Sequence, residues 1–252
     1  MPVSAAPCPV CDREAGWLLA SVDGRDYYRC RTCEATFLAP DQLPSAEQEL
    51  DAYRLHCNDP DDPAYRGFLS QLAEPLLARL APGAAGLDYG CGPGPALTAL
   101  MRARGHSVAL YDPFFYPDRG ALRRTYDFIT CTEVAEHFHH PAREFRKLDG
   151  LLKPGGWLAI QTTFQTDDAR FARWNYRRDP THVVFYRPHT FECIAQRHRW
   201  QPVFPSGNVV LLHKPAADRL CGERDDEAFG ISQGRGQDGL DYEESIRREW
   251  DR

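Results

Sequence analysis

Between Phe68 and Leu80 the apolar residues Phe68, Leu72, Leu76 and Leu80 recur at every fourth position. That is the period of one helix face, and Pro75 inside the run predicts a kink or an earlier helix start. After Pro82-Gly83 the pattern changes to short apolar runs separated by helical ones. Gly86–Tyr89, Ser107–Tyr111, Tyr126–Thr132 and Trp157–Thr162 read as strands. Pro95–Arg104, with Leu97, Leu100 and Met101 inward, and Ala142–Leu152 read as helices. Such βαβ alternation predicts an α/β fold, a mostly parallel sheet with helices on both faces. Near the end, Pro202–Phe204 and Val209–His213 flank Ser206-Gly207-Asn208 and predict an antiparallel hairpin.

The ends of the chain follow other patterns. Trp17–Leu19 and Asp26–Arg29 are short strands split by the turn-forming Asp23-Gly24. Residues 41–66 are polar, with Asn58–Pro63 as a breaker, and predict a connecting arm. From Ala216 to Arg252 apolar residues are few, and eleven acidic side chains stand against six arginines. This stretch is expected to be a disordered acidic tail, with Asp241–Trp250 as a short helix. Four units result: a module over 1–40, an arm and helix over 41–82, the α/β domain over 83–215 and the tail over 216–252.

The tail holds −5 of the net charge of −6 over 252 residues. The remaining body is nearly neutral, which argues against a dedicated nucleic-acid coat. No apolar run of eighteen residues occurs, so no membrane span is expected. MPVSAAPCPV has no basic region followed by an apolar one, so a cytoplasmic location is expected. No pattern in the chain speaks to its oligomeric state.

Nine cysteines are present. Cys8, Cys11, Cys30 and Cys33 form two Cys-x-x-Cys pairs with eighteen residues between them, and the other five are scattered singly. An odd total with no export signal argues against a disulfide framework. Two thiolate pairs on separated turns match the spacing of a tetrahedral zinc site. Four sulfurs close the coordination sphere, so the metal's expected role is structural, giving a small module the stability its core cannot.

Leu87-Asp88-Tyr89-Gly90-Cys91-Gly92-Pro93-Gly94 lies where the first strand of the α/β domain turns into its first helix. Pro95 breaks the dinucleotide spacing Gly-x-Gly-x-x-Gly, and no Lys-Ser or Lys-Thr follows as in a triphosphate loop. Asp112 ends the next strand about twenty residues on, where a carboxylate can accept both ribose hydroxyls of an adenosine.

These residues resemble the class I S-adenosylmethionine-dependent methyltransferases. LDYGCGPG resembles their first motif, and Asp112 in ALYDPFF falls at their acidic ribose-binding residue. YDFITCTEVAEHFHHPAREFRKLDGLLKPGGWLAI resembles their fourth strand, the following helix and the turn into the fifth strand. The resemblance covers residues 84–213 and implies a Rossmann-like, doubly wound, seven-stranded sheet with a reversed last strand. CPVC…YRCRTC resembles the zinc ribbon fused to some bacterial methyltransferases, several acting on sugars or other small metabolites. The cofactor set implied is Asp88, Gly90, Cys91, Gly92, Gly94, Asp112 and Glu133. Only fourteen residues separate Asp112 from Asp127, so the third strand is expected to be vestigial, and stacking on Phe114 or Phe115 to replace a carboxylate at the adenine.

Methyl transfer from a sulfonium is an in-line displacement in which positioning matters most, with a base needed where the acceptor loses a proton. By resemblance, Glu136 and His137 lie near the methionine part of the cofactor or the acceptor. His182, before Val183-Val184-Phe185, is the favoured base or acceptor contact. His139 and His140 are expected to face solvent. Asp167–Asp179 reads as a helix whose Arg173 and Arg177 stripe, beside Trp174, suits an anionic or planar acceptor; Tyr186 extends that set. The Asn-Pro-Pro-Tyr of many amino-group methylating enzymes is absent, with Thr130-Cys131-Thr132-Glu133 in its place, which leaves oxygen, carbon or sulfur acceptors. The expected activity is methylation of a small metabolite, anionic if those arginines hold it. The competing readings are an RNA methyltransferase that binds through its ribbon and a non-catalytic cofactor-binding module.

Overall fold

The computed structural model describes residues 7–13, 15–55 and 62–216. The predicted tail from residue 217 on, its short helix and most of the 58–63 breaker lie outside the described residues. The elements in chain order are β1 (Ala15–Val22), β2 (Arg25–Cys30), β3 (Thr36–Leu38), α1 (Ala46–Tyr53), α2 (Pro63–Leu77), β4 (Ala85–Tyr89), α3 (Ala96–Ala103) and β5 (Ser107–Tyr111). There follow β6 (Tyr126–Thr132), α4 (Pro141–Leu151), β7 (Leu152–Gln161), β8 (Val184–Phe185), α5 (Pro188–His198), β9 (Gln201–Ser206) and β10 (Val209–His213).

Local chemistry sets several of these bounds. Asp23 and Gly24 take φ of +53° and +75°, the left-handed pair that a two-residue hairpin loop requires. Ser45 and Gln48 close a reciprocal capping box on α1, satisfying donors the helix cannot. Helix α2 starts five residues before Phe68, because the Asp62 side chain accepts from Ala64 N and Pro63 fills the first turn, where a missing N–H costs nothing.

The main sheet runs β5-β4-β6-β7-β10-β9. Strands β4 to β7 are parallel, and β10 lies antiparallel to both β7 and β9. The resemblance implied seven strands, and among the described residues the sheet has six. Between Asp112 and Tyr126 the chain makes one bridge, Asp112 with Tyr116, and a short 3-10 turn at Ala121–Arg123, too little for a strand.

Side chains of the central strands alternate between two cores, as the period of two demands. Phe128, Ala159, Val209 and Leu211 meet Leu69, Leu72 and Leu76 of α2 with Leu97 and Met101 of α3. Ile129, Leu158, Ile160, Val210 and Leu212 meet Phe145 and Leu148 of α4 with Phe191 and Ile194 of α5. Gly86 makes room for this packing, since a Cβ there would stand 2.2 Å from the Phe128 ring.

A second sheet, β1-β2-β3-β8, joins the cysteine module to the body. Thr36 and Phe37 pair with Phe185 and Val184, Leu38 N donates to Val183 O at 2.8 Å, and Ala142 N donates to Pro9 O at 2.9 Å. Arg29, 2% exposed, is paired with Asp168, which Arg187 also engages at 2.5 Å. The predicted helix over 167–179 is instead two 3-10 turns, Phe171–Arg173 and Asn175–Arg178. Trp174 between them is extended (φ −71°, ψ 124°), so Phe171 can bury against Tyr27 and Phe185 with Trp174 and Tyr176 packed alongside.

Candidate active site and cysteine cluster

The two Cys-x-x-Cys turns are built alike. Asp12 N and Glu34 N donate to the carbonyls of Cys8 and Cys30, and Cys8 N and Cys30 N donate to Arg13 O and Ala35 O. Asp12 and Glu34 both adopt left-handed φ, +59° and +58°. The turns bring the sulfurs together: Cys8 to Cys33 is 3.6 Å, Cys11 to Cys30 is 3.5 Å, and all four lie within 4.8 Å of one another. Sulfurs around a tetrahedral zinc with bonds of about 2.3 Å stand roughly 3.8 Å apart, so this set fits that ion. Thr32 N and Cys33 N point at Cys30 Sγ (3.3 and 3.5 Å), and the Cys11 and Cys33 thiols hold Cys30 below the usual thiol range.

A cavity of about 890 Å³ opens at the carboxyl ends of β4, β5 and β6, where open α/β sheets bind ligands. Its floor is the loop Gly90–Pro95. Gly90 N donates to Tyr111 O, and φ is +77° at Gly90 and +61° at Gly92. A Cβ on Gly90 would meet Val134 at 2.5 Å, whereas Gly92 has nothing within 4 Å. Asp112 accepts from Gly92 N (3.0 Å) through one oxygen and from Phe114 N and Phe115 N (2.9 and 3.0 Å) through the other. Asp88 lies deeper: Thr98 and Thr130 donate to it at 2.8 and 2.9 Å, and burial pushes its carboxyl above the usual range. Cys91, Gly94 and Phe114 also line the cavity. The open space at Gly92, beside a carboxylate already held in position, suits an adenosine bearing an amino-acid arm, in a volume large enough for a cofactor and a small acceptor.

At the other end of the cavity stands a cluster from three chain segments. Glu136 is fully buried; its Oε1 accepts from Tyr176 Oη at 2.5 Å and lies 4.0 Å from His182 Nε2. His182 Nδ1 lies 2.7 Å from Tyr176 O, and His137 Nδ1 lies 3.0 Å from Thr181 O. A carbonyl only accepts, so both Nδ1 atoms carry the proton, and in each neutral ring Nε2 has a free lone pair. Asp179 Oδ2 stands 3.9 Å from His182 Nε2. Burial holds the His137 imidazole below the usual histidine range, and burial together with the Glu136 charge pushes Glu133 up to about 9. Tyr53, from α1, packs edge-on to both Phe114 and His137 (5.4 and 5.2 Å between centroids).

Glu133, His137 and His182 therefore line one cavity with the glycine loop, Asp112 and Phe114, and Glu136 backs it. The four residues taken as an acceptor patch sit elsewhere. Arg177 is buried against Asp23 (2.7 Å) over the Tyr27 ring, Trp174 packs on Phe171 and Phe185, and Arg173 is exposed away from the cavity. Tyr186 is in the core, stacked on Phe191 with its hydroxyl donating to Ala135 O. With no helix over 167–179, the arginine stripe does not form. His139, expected in solvent, bonds Glu49 at 3.0 Å. Tyr53, Tyr176 and Asp179 are site residues that sequence reasoning missed; no motif marks them, and only tertiary pairing brings them in. Among the described residues the lining holds six carboxylates (Glu49, Asp88, Asp112, Glu133, Glu144, Asp179) and one lysine, Lys147, which is paired with Glu144.

Residues 64–203, more than half of the chain, match a family described as a methyltransferase domain. The chain belongs to that family. No curated protein sequence matches this chain. Among solved structures, an O-methyltransferase family protein from Burkholderia thailandensis aligns at 17% identity and a TM-score of 0.47. That alignment covers 70% of this chain and 65% of the other, just under two thirds of its length. The 1,6-didemethyltoxoflavin-N1-methyltransferase of Burkholderia thailandensis, solved with 1,6-didemethyltoxoflavin and S-adenosylhomocysteine, aligns at 15% identity and a TM-score of 0.43. The alignment covers 78% of this chain and 98% of that one. No helix among the described residues is long and apolar enough to cross a membrane.

Proposed function

We propose that the protein methylates a hydroxyl oxygen of a small, uncharged acceptor seated between the glycine loop and the His137–His182 pair. The observation that carries this reading is the pair of histidines fixed by main-chain carbonyls, each with a lone pair on Nε2, beside a loop suited to the cofactor. When bound, S-adenosylmethionine supplies an electrophilic methyl group whose bond to sulfur breaks with the electron pair left on sulfur. Asp112 positions the ribose, the open backbone at Gly92 admits the amino-acid arm, and Phe114 offers a ring to the adenine. His182 Nε2 takes the proton of the acceptor hydroxyl as its oxygen attacks in line, and the nearby Glu136 and Asp179 carboxylates favour the imidazolium that forms. Tyr53 and Tyr176 wall the acceptor end and limit water.

The Glu136 and Asp179 carboxylates beside His182 disfavour an anionic acceptor, whose charge would meet theirs in a low dielectric. They also disfavour the RNA reading, since phosphate contacts need a basic surface. Zinc held by Cys8, Cys11, Cys30 and Cys33 would have four thiolates and no open position, so it supports the fold and takes no part in the transfer. The test is calorimetric titration with S-adenosylhomocysteine, NAD serving as control, followed by labelled-methyl transfer to a panel of neutral polyols and phenols. Binding of the homocysteine nucleoside alone, with label appearing on a hydroxyl, is the expected outcome. Binding with no turnover on any acceptor class would favour the non-catalytic module.

A further inference from the structure

We propose that Glu136, His137 and His182 form a second metal site, separate from the cysteine cluster, for a first-row divalent cation. One donor atom from each of the three residues lies within 4.8 Å of the others. Both histidines donate Nδ1–H to a main-chain carbonyl, Thr181 O and Tyr176 O. That is the outer bond that fixes the tautomer and the ring plane of metal-binding histidines.

Glu136 supplies an independent sign. Its carboxylate is fully buried, with Oε1 accepting from Tyr176 and the Glu133 carboxyl hydrogen-bonded to it. A buried carboxylate is costly unless it is paired, and a cation between Glu136, His137 and His182 would pair it. The scaffold is firm as well: Glu136 and His137 share one 3-10 turn after β6, and Val183 N, beside His182, donates to Glu136 O at 2.9 Å.

Around an ion with bonds of about 2.1 Å, ligand atoms stand roughly 3 to 4.2 Å apart. His182 Nε2 and Glu136 Oε1, at 4.0 Å, fall inside that range. Two imidazoles and one carboxylate select zinc, cobalt, iron or manganese over calcium or magnesium, and three protein ligands leave open positions toward the cavity. A vicinal diol or a catechol-like acceptor could fill them with its oxygens, and the cation would lower the pKa of the hydroxyl it holds. The hydroxyl proton then leaves to solvent in place of transfer to His182, its oxygen forms the new bond to the methyl carbon, and the carbon–sulfur bond breaks onto sulfur. This use of the site rests on the methyl-transfer reading; the site itself does not.

The test is titration of the full chain with Co2+, followed by absorption. Cobalt on thiolates gives strong sulfur charge-transfer bands in the near ultraviolet, whereas cobalt on imidazole and carboxylate gives only weak visible bands. A saturable phase of the second kind is expected, moved about tenfold or more to higher cobalt in His182→Ala and in Glu136→Gln, with any thiolate phase unchanged. A wild type with no such phase, or one indifferent to both substitutions, overturns the site. S-adenosylhomocysteine titration of the same samples separates the two ideas. Retained nucleoside binding without the cobalt phase removes the ion alone, while a cobalt phase without nucleoside binding removes the methyl-transfer reading alone.

Discussion

Asp112 holds three backbone N–H groups in the free cavity, so it braces the glycine loop as well as facing the ribose site. Asp112→Ala should weaken S-adenosylhomocysteine binding by roughly 10- to 100-fold, as loss of charge-assisted hydrogen bonds implies. Calorimetry checks this, and unchanged affinity would remove the ribose assignment. His182→Ala should lower turnover by about 10²- to 10⁴-fold with nucleoside affinity nearly unchanged; parallel losses in both would make His182 a structural residue. At this scale the sequence was readable where spacing carries chemistry. The glycines, Asp112 and the Glu136-His137 pair sit at strand ends that local pattern already locates. Tyr53 and Tyr176 were not readable, because only α1 folding back and the 162–183 loop bring them to His137 and His182. The arginines misled, since a helical period was assumed where buried aromatics pull the chain into two short turns.

Elements are tuned to one another at a few contacts. Gly86 lies under the Phe128 ring with no room for a methyl group, so Gly86→Ala should destabilise the fold by about 1–3 kcal/mol through overpacking. Urea unfolding monitored by far-ultraviolet circular dichroism measures the loss. Asp127 ties three strands, accepting from Ala85 N at 2.9 Å and pairing with Lys153 at 2.8 Å. Partial burial alone would raise its carboxyl, but the Lys153 bond and the Ala85 N–H outweigh it and hold it below the usual carboxylate range. Its contribution is thus complete above the ordinary aspartate value of about 4 and is lost as pH falls through the lower folded value. Melting curves of Asp127→Asn and wild type should differ at pH 6 by less than about 1 kcal/mol, the side chain being 40% exposed. That gap should narrow toward zero in strong acid; a constant gap would mean the carboxylate charge is irrelevant. The strands and the two helices of the α/β core were legible because apolar runs and turn residues alternate there. Helix α5 has no counterpart among the predicted elements, although Pro188 at its first turn is a start signal.

For the whole molecule, the cysteine module and the α/β core share one apolar cluster. Cys8, Cys30 and Cys33 belong to the same apolar cluster as Leu87, Ile129 and Val210. Chelation, or Cys30→Ser, should therefore lower the melting temperature of the entire chain as a single transition, and nucleoside binding should weaken with it. Two separate calorimetric transitions would show instead an independent ribbon. The two cysteine pairs and the short strands between them indicated an appended module, and nothing in the first forty residues reveals that their sheet is finished by residues 184 and 185.

That late pairing bears on how the protein can be cut and how it is made. A fragment beginning at residue 41 would leave β8 without its neighbour β3 and uncover Val184 and Phe185, an open strand edge of the kind that recruits other chains. On the ribosome, likewise, the ribbon hairpin must wait with one edge bare until about 145 further residues have emerged, a count that follows from residues 38 and 184. A minimal folded unit is therefore reached by keeping the amino-terminal hairpins, and the portable unit for recombination is the chain from the first cysteine pair to the closing β9–β10 hairpin.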